Sequence, residues 1–148
     1  MPGPIDAFVA GYGTGGTLAG VGKAVKRHYP NAKIIAMEPA EAALLTGEMP
    51  CCHWIEGVTG GFIPPLLRSA PLDGHTKISS ADAMTMTRRL HHQFGLSVGT
   101  SSGANVAAAL ASAPDRSPAA QGGTVLCDRA ERYFSTRLFV EQEEPMAP

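Results

Sequence analysis

Apolar and polar positions along the chain switch repeatedly between a strand-like and a helix-like rhythm. Residues 5–10 are a mostly apolar run, as expected of a strand covered on both faces. Residues 18–28 follow a helical period, with Leu18, Val21 and Val25 on one face and Lys23, Lys26 and Arg27 on the other. Tyr29-Pro30-Asn31 stops that helix, and residues 33–37 read as a second apolar strand closed by Pro39. Residues 41–71 carry Gly47, Pro50, Gly57, Gly60, Gly61, Pro64 and Pro65, too much punctuation for a long helix. Short helices near 41–45 and 64–67 fit, and Trp54, Ile55, Val58, Phe62 and Ile63 predict an ordered wall or lid.

A short strand at 76–79 runs into a helix capped by Ser79, with Asp82 in its first turn. Ala83, Thr87, Leu90 and Phe94 mark its inner face, and Gly95 ends it. His91 and His92 are adjacent on this helix, so they point about 100° apart and suit no single metal ion. Residues 96–98 predict a buried strand, 99–103 a polar turn, 104–113 a small-residue helix, 113–122 a surface loop and 124–127 a last strand. This alternation predicts an α/β fold with a mostly parallel sheet flanked by helices. Ligands in such sheets bind at the carboxyl ends of the strands.

The junction after the first strand is the most informative stretch. Gly11-Tyr12-Gly13-Thr14-Gly15-Gly16-Thr17 joins a strand to a helix, which aims backbone N–H groups and the positive end of a helix dipole at one small volume. Glycines allow close approach, and the Thr14 and Thr17 hydroxyls can donate to phosphate oxygens. Two phosphate ligands compete. Gly11-x-Gly13-x-x-Gly16 satisfies the dinucleotide fingerprint, and Glu38 ends the second strand where a ribose-binding acid of an NAD-dependent Rossmann dehydrogenase would stand. A Walker loop is excluded, because no Gly-Lys-Ser/Thr follows the glycines.

Composition narrows the classes without choosing between them. The 148 residues fit one domain, and the formal net charge of −1 offers nothing to a polyanion. No apolar run reaches the roughly 18 residues of a membrane span, and Met1-Pro2-Gly3-Pro4 lacks the basic and apolar regions expected of a signal peptide. Cys51, Cys52 and Cys127 lack metal-ligand spacing, so reduced thiols and a cytoplasmic location are expected. Three polar turns, the Gly13 loop, residues 100–103 and the Asp128 segment, lie at strand ends and could converge on one planar phosphorylated ligand, with Ser101 or Ser102 at its ring; the other reading of Ser101 is a helix cap.

The polar turns taken together resemble the cysteine synthase / cystathionine β-synthase family of pyridoxal-phosphate enzymes, the type II or tryptophan-synthase-β-like fold. The matching residues are Gly13-Thr14-Gly15-Gly16-Thr17, Glu38-Pro39-Ala40, His53-x-Ile55-Glu56-Gly57-Val58, Gly61-Phe62-Ile63-Pro64, Ser101-Ser102-Gly103-Ala104 and Glu131-Arg132-Tyr133. The resemblance favours pyridoxal 5'-phosphate over a dinucleotide. It implies that Gly13, Thr14, Gly15, Gly16 and Thr17 cradle the phosphate, that Ser101 meets the pyridine nitrogen, and that Gly57 and Val58 line the substrate side. The activity implied is β-replacement that makes cysteine from O-acetylserine and sulfide. Cystathionine β-synthase chemistry is the nearest alternative, and a non-catalytic interaction module a further one. A homodimer and association with serine acetyltransferase are implied as partners.

Two departures stand out. Cys127-Asp128-Arg129-Ala130 sets a bulky cation near the expected ring end, and Gly47-Glu48-Met49-Pro50-Cys51-Cys52-His53 alters a glycine–proline motif of the family. The family's Schiff-base lysine has no counterpart among Lys23, Lys26, Lys33 and Lys77. No catalytic residue is therefore assigned. Residues 1–140 are expected to be the C-terminal part of a cofactor-binding domain, an incomplete fold, and 141–148 a disordered tail.

Overall fold

The computed structural model describes residues 4–112 and 120–140. Strand β1 (Ala7–Gly11) leads into helix α1 (Gly16–His28), followed by β2 (Lys33–Pro39), β3 (Gly74–Ile78), α2 (Ser80–Phe94), α3 (Thr100–Ala111) and β4 (Gly122–Gly123). The four strands form one sheet in the order β3-β2-β1-β4, and every pairing is parallel. The α/β class expected from the alternating pattern is the observed one.

Period-two alternation along β1 sorts its side chains into two cores. Phe8 and Ala10 join Leu18, Val25 and Ile34 on the α1 side. Val9 joins Met37, Ile78, Ala83, Ala104 and Ala108 on the side of α2 and α3. β1, buried from Ala7 to Ala10, is thus sandwiched between layers, which explains its run of apolar residues.

Several expectations shift in register. In α1 the buried face is Leu18, Ala19, Gly22 and Val25, so Val21 falls off it and is 37% exposed. Gly22 takes the inner position because a Cβ there would stand 3.2 Å from both Ile34 and Pro71. β2 continues through Pro39, which pairs in register with Ile78. Ser79 caps α2 as expected, its Oγ accepting from the Asp82 N–H at 3.1 Å, while Phe94 at the far end is exposed. Residues 96–98 are not a buried strand. The chain turns tightly between Gly95 and α3, and only Val98 forms an antiparallel bridge, to Arg129. The last strand is not at 124–127 either. Pairing with β1 occurs at Gly122 and Gly123, and beyond them side chains from α3 and Thr124 take over the backbone hydrogen bonds. Most of the loop expected at 113–122, and the tail at 141–148, lie outside the described residues.

Candidate functional site

All the strands point their carboxyl ends the same way, and the polar turns gather there. The glycine loop has the local geometry its composition demands. Gly15 adopts φ +83° as the residue before α1, a conformation that disfavours side chains. A Cβ there would stand 2.8 Å from the Leu67 nitrogen, and one on Gly13 would stand 2.8 Å from the Gly57 carbonyl. No side chain caps the start of α1 at Gly15, and its first turn holds no acid. The Thr14 hydroxyl accepts weakly from the Gly16 N–H at 3.4 Å. The arrangement is a close-walled cradle with helix-end donors, the kind of place that takes an anion.

Residues 53–59 form the opposite wall. The Thr59 N–H donates to the Tyr12 carbonyl at 2.8 Å, the Trp54 N–H to Ser80 Oγ at 2.9 Å, and the Glu56 N–H to Thr100 Oγ1 at 3.3 Å. The segment is thereby tied to the glycine loop and to the starts of α2 and α3. The Ile55 N–H donates to His53 Nδ1, so Nε2 carries the proton and meets the Thr59 hydroxyl at 3.0 Å. This internal clamp holds Thr59 at φ +41°. The wall anticipated from the apolar content of this stretch is present as an ordered one.

Helix α3 begins at Thr100, four residues before its expected start. Gly99 is its cap residue, so Ser101 is not a cap; it lies in the first turn, 4% exposed. A cavity of about 380 Å³ opens between these parts, lined by Gly13, Thr14, Thr17, Gly57, Val58 and Ser101 among others. That size falls in the roughly 300–1,000 Å³ range of small-molecule sites. Gly15 and Gly16 shape the cradle from behind and do not line the cavity.

Glu56, Asn105 and Cys127 also line the cavity, with no role assigned to them from sequence, and Asp128 brings its own polar turn to it. The Asn105 side chain accepts from the Gly11 N–H at 2.7 Å and donates to the Val125 carbonyl at 2.9 Å. A polar residue in an alanine-rich helix was the signal for it. Asp128 takes the Tyr133 hydroxyl on Oδ2 and leaves a buried Oδ1 without a partner. Burial and the Asp128 carboxylate hold the Tyr133 phenol well above its usual range. Arg129 does not enter the site. Its side chain is 81% exposed and pairs with Glu131 at 3.0 Å.

Glu38 removes the dinucleotide alternative. It is fully buried, and its Oε2 accepts from the Tyr12 hydroxyl and the Leu45 N–H, each at 3.0 Å. No ribose can reach it. Burial and the adjacent carboxylate raise the Tyr12 phenol far above the ordinary range. None of the four lysines lines the cavity; Lys26 pairs with Asp73 and Lys77 with Glu48, while Lys23 and Lys33 are exposed. Among the described residues, no helix is long and apolar enough to cross a membrane.

A family model described as pyridoxal-phosphate dependent enzyme matches residues 1–128. Cysteine synthase from Staphylococcus aureus is 44% identical over 135 residues, which are 91% of this chain and 44% of that protein. Probable cysteine synthase from Bacillus subtilis is 43% identical over 136 residues, 92% of this chain and 44% of its own length. The crystal structure of a hydrogen sulfide-producing enzyme from Fusobacterium nucleatum aligns with a TM-score of 0.87 at 40% identity, over 96% of this chain and 42% of the other. An O-acetylserine dependent cystathionine beta-synthase from Helicobacter pylori gives 0.84 at 37% identity, over 93% and 44%. The chain thus spans about 44% of the length of the curated relatives it matches.

Proposed function

Because the chain belongs to the pyridoxal-phosphate dependent enzyme family, we propose that it supplies the phosphate cradle and ring-nitrogen contact of a cysteine synthase-like enzyme. The observation that carries this reading is the single cavity shared by Thr14, Thr17 and Ser101. The cradle fits the group on structural grounds as well: a Cβ on Gly13 would fill it, and no acid at the start of α1 competes for its donors. The residues that hold the cofactor are then Gly13, Thr14, Gly15, Gly16 and Thr17 at the phosphate and Ser101 at the ring nitrogen. When bound, pyridoxal phosphate supplies an electron-withdrawing ring that weakens bonds at an amino acid's α-carbon.

The remaining chemistry belongs to side chains of this protein. Ser101 is neutral, so its hydroxyl leaves the ring nitrogen largely unprotonated where an aspartate would hold a proton on it. That choice moderates the ring's pull and favours β-replacement over transamination. Gly57 and Val58 bound the substrate side, held there by the tethered wall at 53–59. O-acetylserine and sulfide are the proposed substrates and cysteine the product. The lysine that anchors the cofactor in the family is not one of Lys23, Lys26, Lys33 or Lys77, all of which stand away from the cavity.

Titration of the full chain with pyridoxal phosphate, followed by calorimetry, tests this reading. Binding is expected, with competition by inorganic phosphate and weakening of about tenfold in the Thr14→Ala, Thr17→Val double variant. Ser101→Ala is expected to leave phosphate competition unchanged. Equal affinity in the double variant overturns the cradle assignment. O-acetylserine sulfhydrylase turnover by these 148 residues alone would refute the lysine assignment.

A further inference from the structure

A second cavity, of about 430 Å³, shares Glu56 with the first and is further lined by Trp54, Ser135, Thr136, Arg137 and Val140. The Arg137 guanidinium sits over the Trp54 ring, its carbon 3.6 Å from the ring centroid. Stacking uses the face of the guanidinium and leaves its in-plane N–H fork free for a carboxylate. Among the described residues neither Arg137 nor Glu56 is in an ion pair.

Both groups are held in place by backbone anchors. Arg88 donates to the carbonyls of Arg137 and Leu138, at 3.1 and 3.3 Å, and the Glu56 N–H donates to Thr100 Oγ1 at 3.3 Å, next to a Trp54 N–H tied to Ser80. The cavity therefore presents a positioned cation and a carboxylate on its walls, with the carboxylate on the border of the first cavity. A dianion would meet repulsion from Glu56, and an amine alone would meet it from Arg137. Hydrosulfide, an anion without an ammonium, answers Arg137 and leaves Glu56 unmatched.

The geometry points to a subsite for a free zwitterionic α-amino acid with a short side chain, its carboxylate on Arg137 and its ammonium on Glu56. This depends on the cofactor reading only for what the amino acid does there: held beside the main cavity, an amino-acid thiol is the acceptor or product of β-replacement.

The test is calorimetric titration of the full chain with L-cysteine, without cofactor, together with the fluorescence of Trp54, the chain's single tryptophan. Binding is expected, with about tenfold weaker affinity for 3-mercaptopropionate, which lacks the ammonium, and for cysteamine, which lacks the carboxylate. Arg137→Gln is expected to cost L-cysteine a similar factor while binding pyridoxal phosphate as the parent does. Arg137 is exposed and its backbone contacts do not involve its side chain, so the variant keeps its fold. No heat with L-cysteine, or equal affinity in Arg137→Gln, overturns the subsite. If L-cysteine binds as described but pyridoxal phosphate does not, the cofactor reading falls and the subsite stands.

Discussion

At the scale of single residues, the cavity wall carries a built-in reporter. Cys127 opens onto the cavity, yet partial burial and the Asp128 charge push its thiol up. A raised pKa means less thiolate at any given pH, so Cys127 is expected to alkylate more slowly than the exposed pair Cys51 and Cys52. Its rate should climb as pH rises toward the shifted value. Pyridoxal phosphate should slow Cys127 further and leave the other two unaffected, measured by peptide mass spectrometry with iodoacetamide. Labelling of Cys127 indifferent to the cofactor would place the ligand elsewhere. The glycines and threonines of this site were legible in the sequence because their composition has few other uses. Asn105 was not, because its position depends on contacts from segments 20 or more residues away.

At the scale of elements, α2 and α3 touch through Gly103. A Cβ there would stand 2.5 Å from the Ala83 carbonyl and 2.7 Å from the Thr87 nitrogen, both backbone atoms that cannot swing aside. Gly103→Ala is therefore expected to force the helices apart and cost about 1–3 kcal/mol, read from the urea midpoint. Since α3 carries Ser101, cofactor affinity should fall with it. The helices were the most legible elements, their periods and the Ser79 cap being local properties. The strands expected at 96–98 and 124–127 are absent for a physical reason: β-propensity measures fit to a pleated neighbour, and the partners are α3 side chains at 124–127 and the His91 ring with a single bridge to Arg129 at 98. Conversely, Gly122 and Gly123 form a strand that composition alone assigns to a loop.

Across the whole molecule, Asp73 joins three elements of the fold. Its carboxylate accepts from Lys26 on α1, at 2.8 Å, and from the Ile34 N–H on β2, also at 2.8 Å, immediately before β3 begins. Burial opposes the charge, but the hydrogen bonds from Lys26 and Ile34 outweigh it and hold the carboxyl below its ordinary value of 3.8. A depressed folded-state pKa stabilises the fold above the unfolded value and is lost as pH falls through the folded one. Asp73→Asn should thus lower stability by about 1 kcal/mol at neutral pH and flatten its fall below about pH 4, seen by thermal melts across pH. The parallel order of the sheet was legible from alternation, whereas this cross-layer tie between residues 26, 34 and 73 was not.

The amide of Asn105 has a wider meaning for how the sheet ends. With one acceptor toward Gly11 and one donor toward Val125, it does the work of a missing peptide group, a prosthetic rung spliced between the central strand and the segment that should have been its neighbour. The floor of the cavity therefore hangs from a side chain rather than from a ladder. Replacing Asn105 would strand the Gly11 N–H and the Val125 carbonyl while the β1–β2 ladder stays intact.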